Sequence, residues 1–217
     1  SFALWNPEQD RYEPLHDPRD DPEGTMLNDG RCDRQGRFWA GTMDKMLERP
    51  SGVLYRLDGD GTSHAAADGI TLSNGVAFSP DGGTLYLADS LTKYIYAYDL
   101  DTKTGALSNK RVFAETAKLP GIPDGATVDA EDFLWSARFD GSRVVRHAPD
   151  GSVADEIELP VSRVTSCALG GPDLKTLYIT TAFFRLTEEQ RAKQPLAGAL
   201  FAVEVDVPGV AEPRYRG

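Results

Sequence analysis

Cysteine is nearly absent: Cys32 and Cys167 are the only two in 217 residues, too few for a disulfide scaffold. Both fall in segments that read as strands, so buried, reduced thiols are expected. The three histidines, His16, His64 and His147, show no metal-ligand spacing and read as surface residues. No apolar run approaches the ~20 residues of a membrane helix, and the start lacks the basic and apolar stretches of a signal peptide. Cations are outnumbered: 23 Lys and Arg against 34 Asp and Glu leave a net charge of −11. That balance speaks against nucleic acid and against anionic membranes as partners. These absences point to a cytoplasmic protein acting on a small molecule. Helix is scarce as well, with Thr187–Lys193 the best candidate and Thr187 its cap.

What is present is one unit written four times. The second copy runs Ser73-Asn74-Gly75-Val76-Ala77-Phe78, then Ser79-Pro80-Asp81-Gly82-Gly83, then Thr84-Leu85-Tyr86-Leu87-Ala88-Asp89. The first opens Leu27-Asn28-Asp29-Gly30 and reaches Trp39. The third opens Pro123-Asp124-Gly125 and reaches Trp135, and the fourth, Val164 to Thr181, is weaker. Each unit reads as a strand, an Asp- and Gly-rich hairpin turn, a second strand carrying an aromatic, an alternating third strand and a short fourth. Trp39, Tyr86 and Trp135 recur at core positions. The opening residues are 46 and then 50 residues apart, the length of a propeller blade. The expected fold is all-β, a single β-propeller domain over residues 1–217 built of four-stranded antiparallel blades. Phe2–Asn6 and Arg11–Leu15 read as the third and fourth strands of a blade, giving about four and a half blades. The stretch Asp17–Gly24 reads as an acidic connector. Val210–Tyr215 has no evident partner strand, so the natural protein is expected to extend upstream and supply one.

One slot in the unit is polar each time. Asn28, Asn74 and Asp124 each stand five residues before a turn residue, Asp33, Ser79 and Asp129. First strands line the channel of a propeller, so these three side chains are expected to converge at its mouth. Amide and carboxylate oxygens are hard ligands that suit a divalent cation. The ordinary alternative stands beside this: Asn-Gly and Asp-Gly are common turn dipeptides. Ser136 and Ser166 have no apparent histidine partner or nucleophile elbow, and Gly82-Gly83 and Gly170-Gly171 lack a phosphate-loop setting.

Several stretches together resemble the SMP-30/gluconolactonase/LRE-like family of regucalcin-like sugar lactonases. They are Asn28-Asp29-Gly30, Gly36-Arg37-Phe38-Trp39-Ala40-Gly41-Thr42-Met43, Ser73-Asn74-Gly75, Pro123-Asp124-Gly125, Leu134-Trp135-Ser136-Ala137, Thr165-Ser166-Cys167 and Gln194–Phe201. The resemblance implies a six-bladed propeller, one divalent cation, and hydrolysis of sugar lactones to aldonic acids. By position it implies Asn74 and Asp124 as metal ligands, Asp124 also as general base, and Asn28 and Met43 at the substrate pocket. Ca²⁺ is the expected ion, with Mn²⁺, Fe²⁺ and Zn²⁺ open. The family's glutamate ligand has no counterpart before Asn28, and Met26 stands where the family carries an arginine. An acidic pocket disfavours anions, so the expected substrate is a neutral sugar lactone. Two other classes stay open: a non-catalytic metal-binding or interaction propeller, and a propeller esterase or organophosphate hydrolase.

Overall fold

The computed structural model describes residues 1–16 and 22–217; five residues of the expected acidic connector lie outside that range. The described residues form five antiparallel sheets in sequence order. A two-stranded hairpin, β1 (Phe2–Asn6) and β2 (Arg11–His16), comes first. The first blade is β3 (Thr25–Cys32), β4 (Phe38–Asp44), β5 (Gly52–Leu57) and β6 (Ser63–Ile70). The second is β7 (Ser73–Phe78), β8 (Thr84–Asp89), β9 (Tyr94–Leu100) and β10 (Leu107–Glu115). The third is β11 (Ile122–Val128), β12 (Leu134–Phe139), β13 (Arg143–His147) and β14 (Val153–Glu158). The fourth has three strands, β15 (Val164–Gly170), β16 (Thr176–Thr181) and β17 (Leu200–Glu204), with helix α1 (Glu188–Lys193) between the last two.

The apolar cores lie between successive sheets, which makes this a propeller arrangement. Trp39 and Leu54 of the first blade pack with Phe78, Leu85 and Leu87 of the second. Tyr86 and Ala88 of the second pack with Ala126, Val128 and Leu134 of the third. Trp135 and Val144 of the third pack with Cys167, Leu177 and Ile179 of the fourth. The inner strands of the second and third blades therefore have neighbours on both faces. All six residues of β7 are buried, whereas β14 is largely exposed.

A carboxylate locks two of the three core aromatics. Trp39 Nε1 donates to Asp33 Oδ2 at 2.9 Å and Trp135 Nε1 donates to Asp129 Oδ2 at 3.0 Å. Both carboxylates are fully buried and each also pairs with an arginine, Arg37 and Arg146. The turn slots thus serve the blades' own packing, unlike the polar slots five residues earlier.

Thr187 does cap α1, with Gln190 completing a capping box. Cys167 is buried and Cys32 half-buried, and both are free thiols. His147 departs from expectation. It is 1% exposed, because β13 turns it inward against Phe113. Burial lowers its pKa, so it is a neutral packing residue. The end of the chain forms no fourth strand on the last blade. It crosses to other blades instead: Gly209 bridges Asp129, Glu212 pairs with Arg31, and Arg216 N donates to Gly36 O at 3.0 Å. Among the described residues no helix is long and apolar enough to cross a membrane.

Candidate functional site

The ladder between first and second strands slips at the polar slot in every blade. Register shifts fall between Leu27 and Gly30, Asn74 and Ala77, Pro123 and Ala126, and Val164 and Ser166. Such bulges re-aim side chains. This accounts for the glycine after the slot: Gly75 has φ +56°, and a Cβ there would lie 2.9 Å from Asp124 O. The Asn-Gly pair is neither a hairpin turn nor a chance repeat. It lets one first strand lie against the next while the asparagine points inward.

Asn28, Met43, Asn74 and Asp124 line one cavity of about 400 Å³. Asn28 Nδ2 donates to Ser73 O and to Asn74 Oδ1, each at 2.8 Å. Met43 reaches the wall from the end of β4, where its backbone bridges Leu72. Met26 lies opposite Met43 in the ladder and is 45% exposed, outside the cavity lining.

The Asn74 amide, 8% exposed, is the pivot. Its cavity-facing end lies 2.8 Å from Asn28 Nδ2 and 3.1 Å from Asp124 Oδ1, and its other end lies 2.8 Å from Ser90 Oγ. With oxygen toward the cavity, Asn74 accepts from Asn28 but sets two acceptors, its Oδ1 and Asp124 Oδ1, face to face. With the amide turned, nitrogen donates to Asp124 Oδ1 and Ser73 O, yet it then faces the Asn28 amide nitrogen. Amide orientation follows the hydrogen-bond network, and neither choice satisfies all of this one. A cation between the two facing oxygens would satisfy the first.

Asp29, which the slot pattern does not single out, adds a second carboxylate. It accepts from Gly30 N at 2.8 Å and from Val76 N at 3.0 Å, tying β3 to β7. Burial raises its pKa. Burial first, and the Asp29 charge second, push Asp124 up to about 7. Asp29 spends both oxygens on backbone N–H groups and does not line the cavity, so the donors a hard divalent cation would meet there are the Asp124 carboxylate and the Asn74 amide. Among the described residues no cluster of three or more His, Cys, Asp or Glu exists, so any such ion would draw on the amide.

The lining also includes Lys45, Phe139, Phe184 and Arg185. Sequence reasoning missed these four and Ser90, since Lys45, Arg185 and Ser90 occupy loops outside the repeated slots. In the fourth blade the slot falls to Thr165, whose hydroxyl bonds Thr180 Oγ1 at 2.8 Å and does not line the cavity.

A family model described as SMP-30/Gluconolactonase/LRE-like region matches residues 1–183. The 6-deoxy-6-sulfogluconolactonase of Pseudomonas putida is 44% identical over 196 residues, covering 90% of this chain and 67% of that protein. Pentonolactonase XacC of Haloferax volcanii is 38% identical over 196 residues, covering 88% and 66%. Among solved structures, the calcium-binding protein regucalcin of Agrobacterium tumefaciens superposes with a TM-score of 0.92 at 30% identity, covering 99% of this chain and 72% of that one. The chain thus spans roughly two thirds to three quarters of the length of these relatives.

Proposed function

The chain belongs to the SMP-30/gluconolactonase/LRE-like family, and on that premise we propose that it hydrolyses sugar lactones to aldonic acids in the cavity between Asn28, Asn74 and Asp124. The observation that carries the reading is the convergence of the Asn74 amide and the Asp124 carboxylate, 3.1 Å apart, at the same slot of neighbouring blades. The lactonase names of two relatives support it.

Water adds to the lactone carbonyl carbon, the ring C–O bond breaks, and the ring oxygen leaves as a hydroxyl. Asp124 takes the proton from the attacking water and returns it to the departing ring oxygen. The pKa of about 7 belongs to the cation-free site; a bound cation would lower it and keep Asp124 ionised, ready to accept the proton. Asn28 orients the Asn74 amide through its Nδ2, and Asp29 holds β3 and β7 in register beside Asp124. A divalent cation held by Asn74 Oδ1 and Asp124, with Ca²⁺ the first choice, would polarise the carbonyl and offset the negative charge that develops on its oxygen. Met43 forms part of the wall against which the sugar lies.

Cation binding without turnover is the competing reading, favoured by the lack of a third clustered carboxylate among the described residues. A pH-indicator assay of lactone opening separates the two. The proposal expects gluconolactone to open well above its spontaneous rate and to do so only with divalent cation present. Cation binding with lactone opening no faster than in buffer would refute turnover.

A further inference from the structure

The charge of the cavity is the reverse of the charge of the chain. The whole molecule is acidic at −11, yet the cavity lining holds two cations, Lys45 and Arg185, and one carboxylate, Asp124. A divalent ion bound at Asp124 would make the lining more positive still. Neither Lys45 nor Arg185 forms an ion pair among the described residues, although other cations of the same loops do or are otherwise engaged. Arg49, four residues from Lys45, is neutralised by Asp44. Arg191, six from Arg185, donates to Phe183 O.

Both cations are exposed residues of the cavity lining. Lys45 follows directly on Asp44, which accepts from Glu48 N, Arg49 N, the Arg49 guanidinium and Ser51 Oγ and so fixes the loop. Lys45 N donates to Gly24 O at 2.9 Å. Arg185 lies 4.8 Å from the Phe184 ring, a stacking that orients a guanidinium. Its backbone has φ +56°, a left-handed conformation that a side chain other than glycine's adopts at a cost. Lys45 comes from the first blade and Arg185 from the fourth, so the two approach the cavity from separate sides while Asn74 and Asp124 lie on the blades between.

We propose, resting on the lactonase reading of the same cavity, that Lys45 and Arg185 form a subsite for an anionic group on the sugar, so that the preferred substrate is a lactone bearing a terminal sulfonate or phosphate. The lactone carbonyl lies at Asp124 and the anion lies between Lys45 and Arg185. Arginine and lysine donate charge-assisted hydrogen bonds to tetrahedral oxyanions. This overrides the expectation of a neutral substrate drawn from an acidic pocket, because the lining holds two cations against one carboxylate and local lining sets the potential in a cavity.

The test has two arms. In the first, kcat/KM is measured for gluconolactone and for its 6-sulfonated and 6-phosphorylated forms with the wild type, Lys45→Gln, Arg185→Gln, the double variant and Lys45→Arg. The anionic-to-neutral ratio should fall about three- to fivefold in each single variant and about tenfold in the double. Lys45→Arg should retain most of it, and the ratio should shrink with added salt. The two anionic lactones tell sulfonate from phosphate. In the second arm, calorimetry compares glucose 6-phosphate with glucose as non-reacting probes, with thermal melts verifying that each variant is folded. Tighter binding of the phosphate, lost in the double variant, supports the subsite even if no lactone is opened. Equal handling of anionic and neutral sugars, or a preference that survives in the folded double variant, would overturn it while leaving a measured lactonase activity intact.

Discussion

Asp124 carries opposing demands. Burial and the neighbouring Asp29 hold its pKa at about 7, whereas cation binding requires the ionised carboxylate. A proton therefore competes with the cation below about pH 7. Apparent affinity for Ca²⁺ should rise about tenfold per pH unit on that limb and level off above it, a profile that calorimetric titration at several pH values measures. Asp124→Asn should leave the melting transition in place, since the change is nearly isosteric. It should lower lactone opening by about 10²–10⁴-fold, the usual loss on removing a general base. Wild-type rates in this variant across the pH range would refute the role. At this scale the three slot residues were legible because repetition exposed them. Asp29 was not, because the matching position in the second and third units is Gly75 or Gly125 and no repetition marks it. His147 was misjudged because outer strands usually face water, and here β13 packs one face against Phe113.

Bulges are what turn a repeated strand into a site. They depend on close approach between blades, and the first two blades meet at Gly41. A Cβ on that glycine would collide with Ser73 Oγ and Cβ, at the strand start that carries Asn74. Gly41→Ala should destabilise the fold by about 1–3 kcal/mol through overpacking, and Ser73→Gly in the same chain should restore much of the loss. Urea denaturation of the single and double variants checks the pair. A second lock is Asp44, whose carboxylate is solvent-inaccessible and held down to about 2, chiefly by the Glu48 backbone N–H and then by Arg49. Its folded pKa lies below its unfolded value of 3.8. The stability it contributes is therefore full above that value and is lost as pH falls toward 2. Asp44→Asn should melt lower than the wild type at pH 7, with the gap closing below about pH 3. A gap that persists at pH 2 would show that the carboxylate's charge is not what holds the loop. Strand periodicity and turn chemistry made these elements readable. The register shifts were hidden, because one extra residue in a ladder leaves no mark on composition.

Across the whole molecule, each sheet buries itself only by packing on the next, so stability is distributed along the row of blades. The last residues tie distant parts of that row. Tyr215 donates to Asp58 O at 2.7 Å, Glu212 pairs with Arg31, and Arg216 bonds Gly36. Ending the chain after Val207 should lower stability by about 1–3 kcal/mol, through the lost hydrogen bonds and the lost cover over Phe2 and Leu57. An unchanged urea midpoint would show that these contacts contribute nothing. Blade number, blade order and the hairpin of β1 and β2 were readable from the repeat. The course of the final residues was not, since Val210–Tyr215 reads as a strand and only its partners on other blades determine where it goes.

The central claim is that Asn74 and Asp124 share one divalent cation, and anomalous scattering from a crystal soaked in Mn²⁺ tests it most directly. The account predicts a peak within coordinating reach of both Asn74 Oδ1 and an Asp124 carboxylate oxygen, with Ser90 Oγ on the amide nitrogen side. Absence of a peak there, with the Asn74 amide turned so that its nitrogen donates to Asp124, would contradict it.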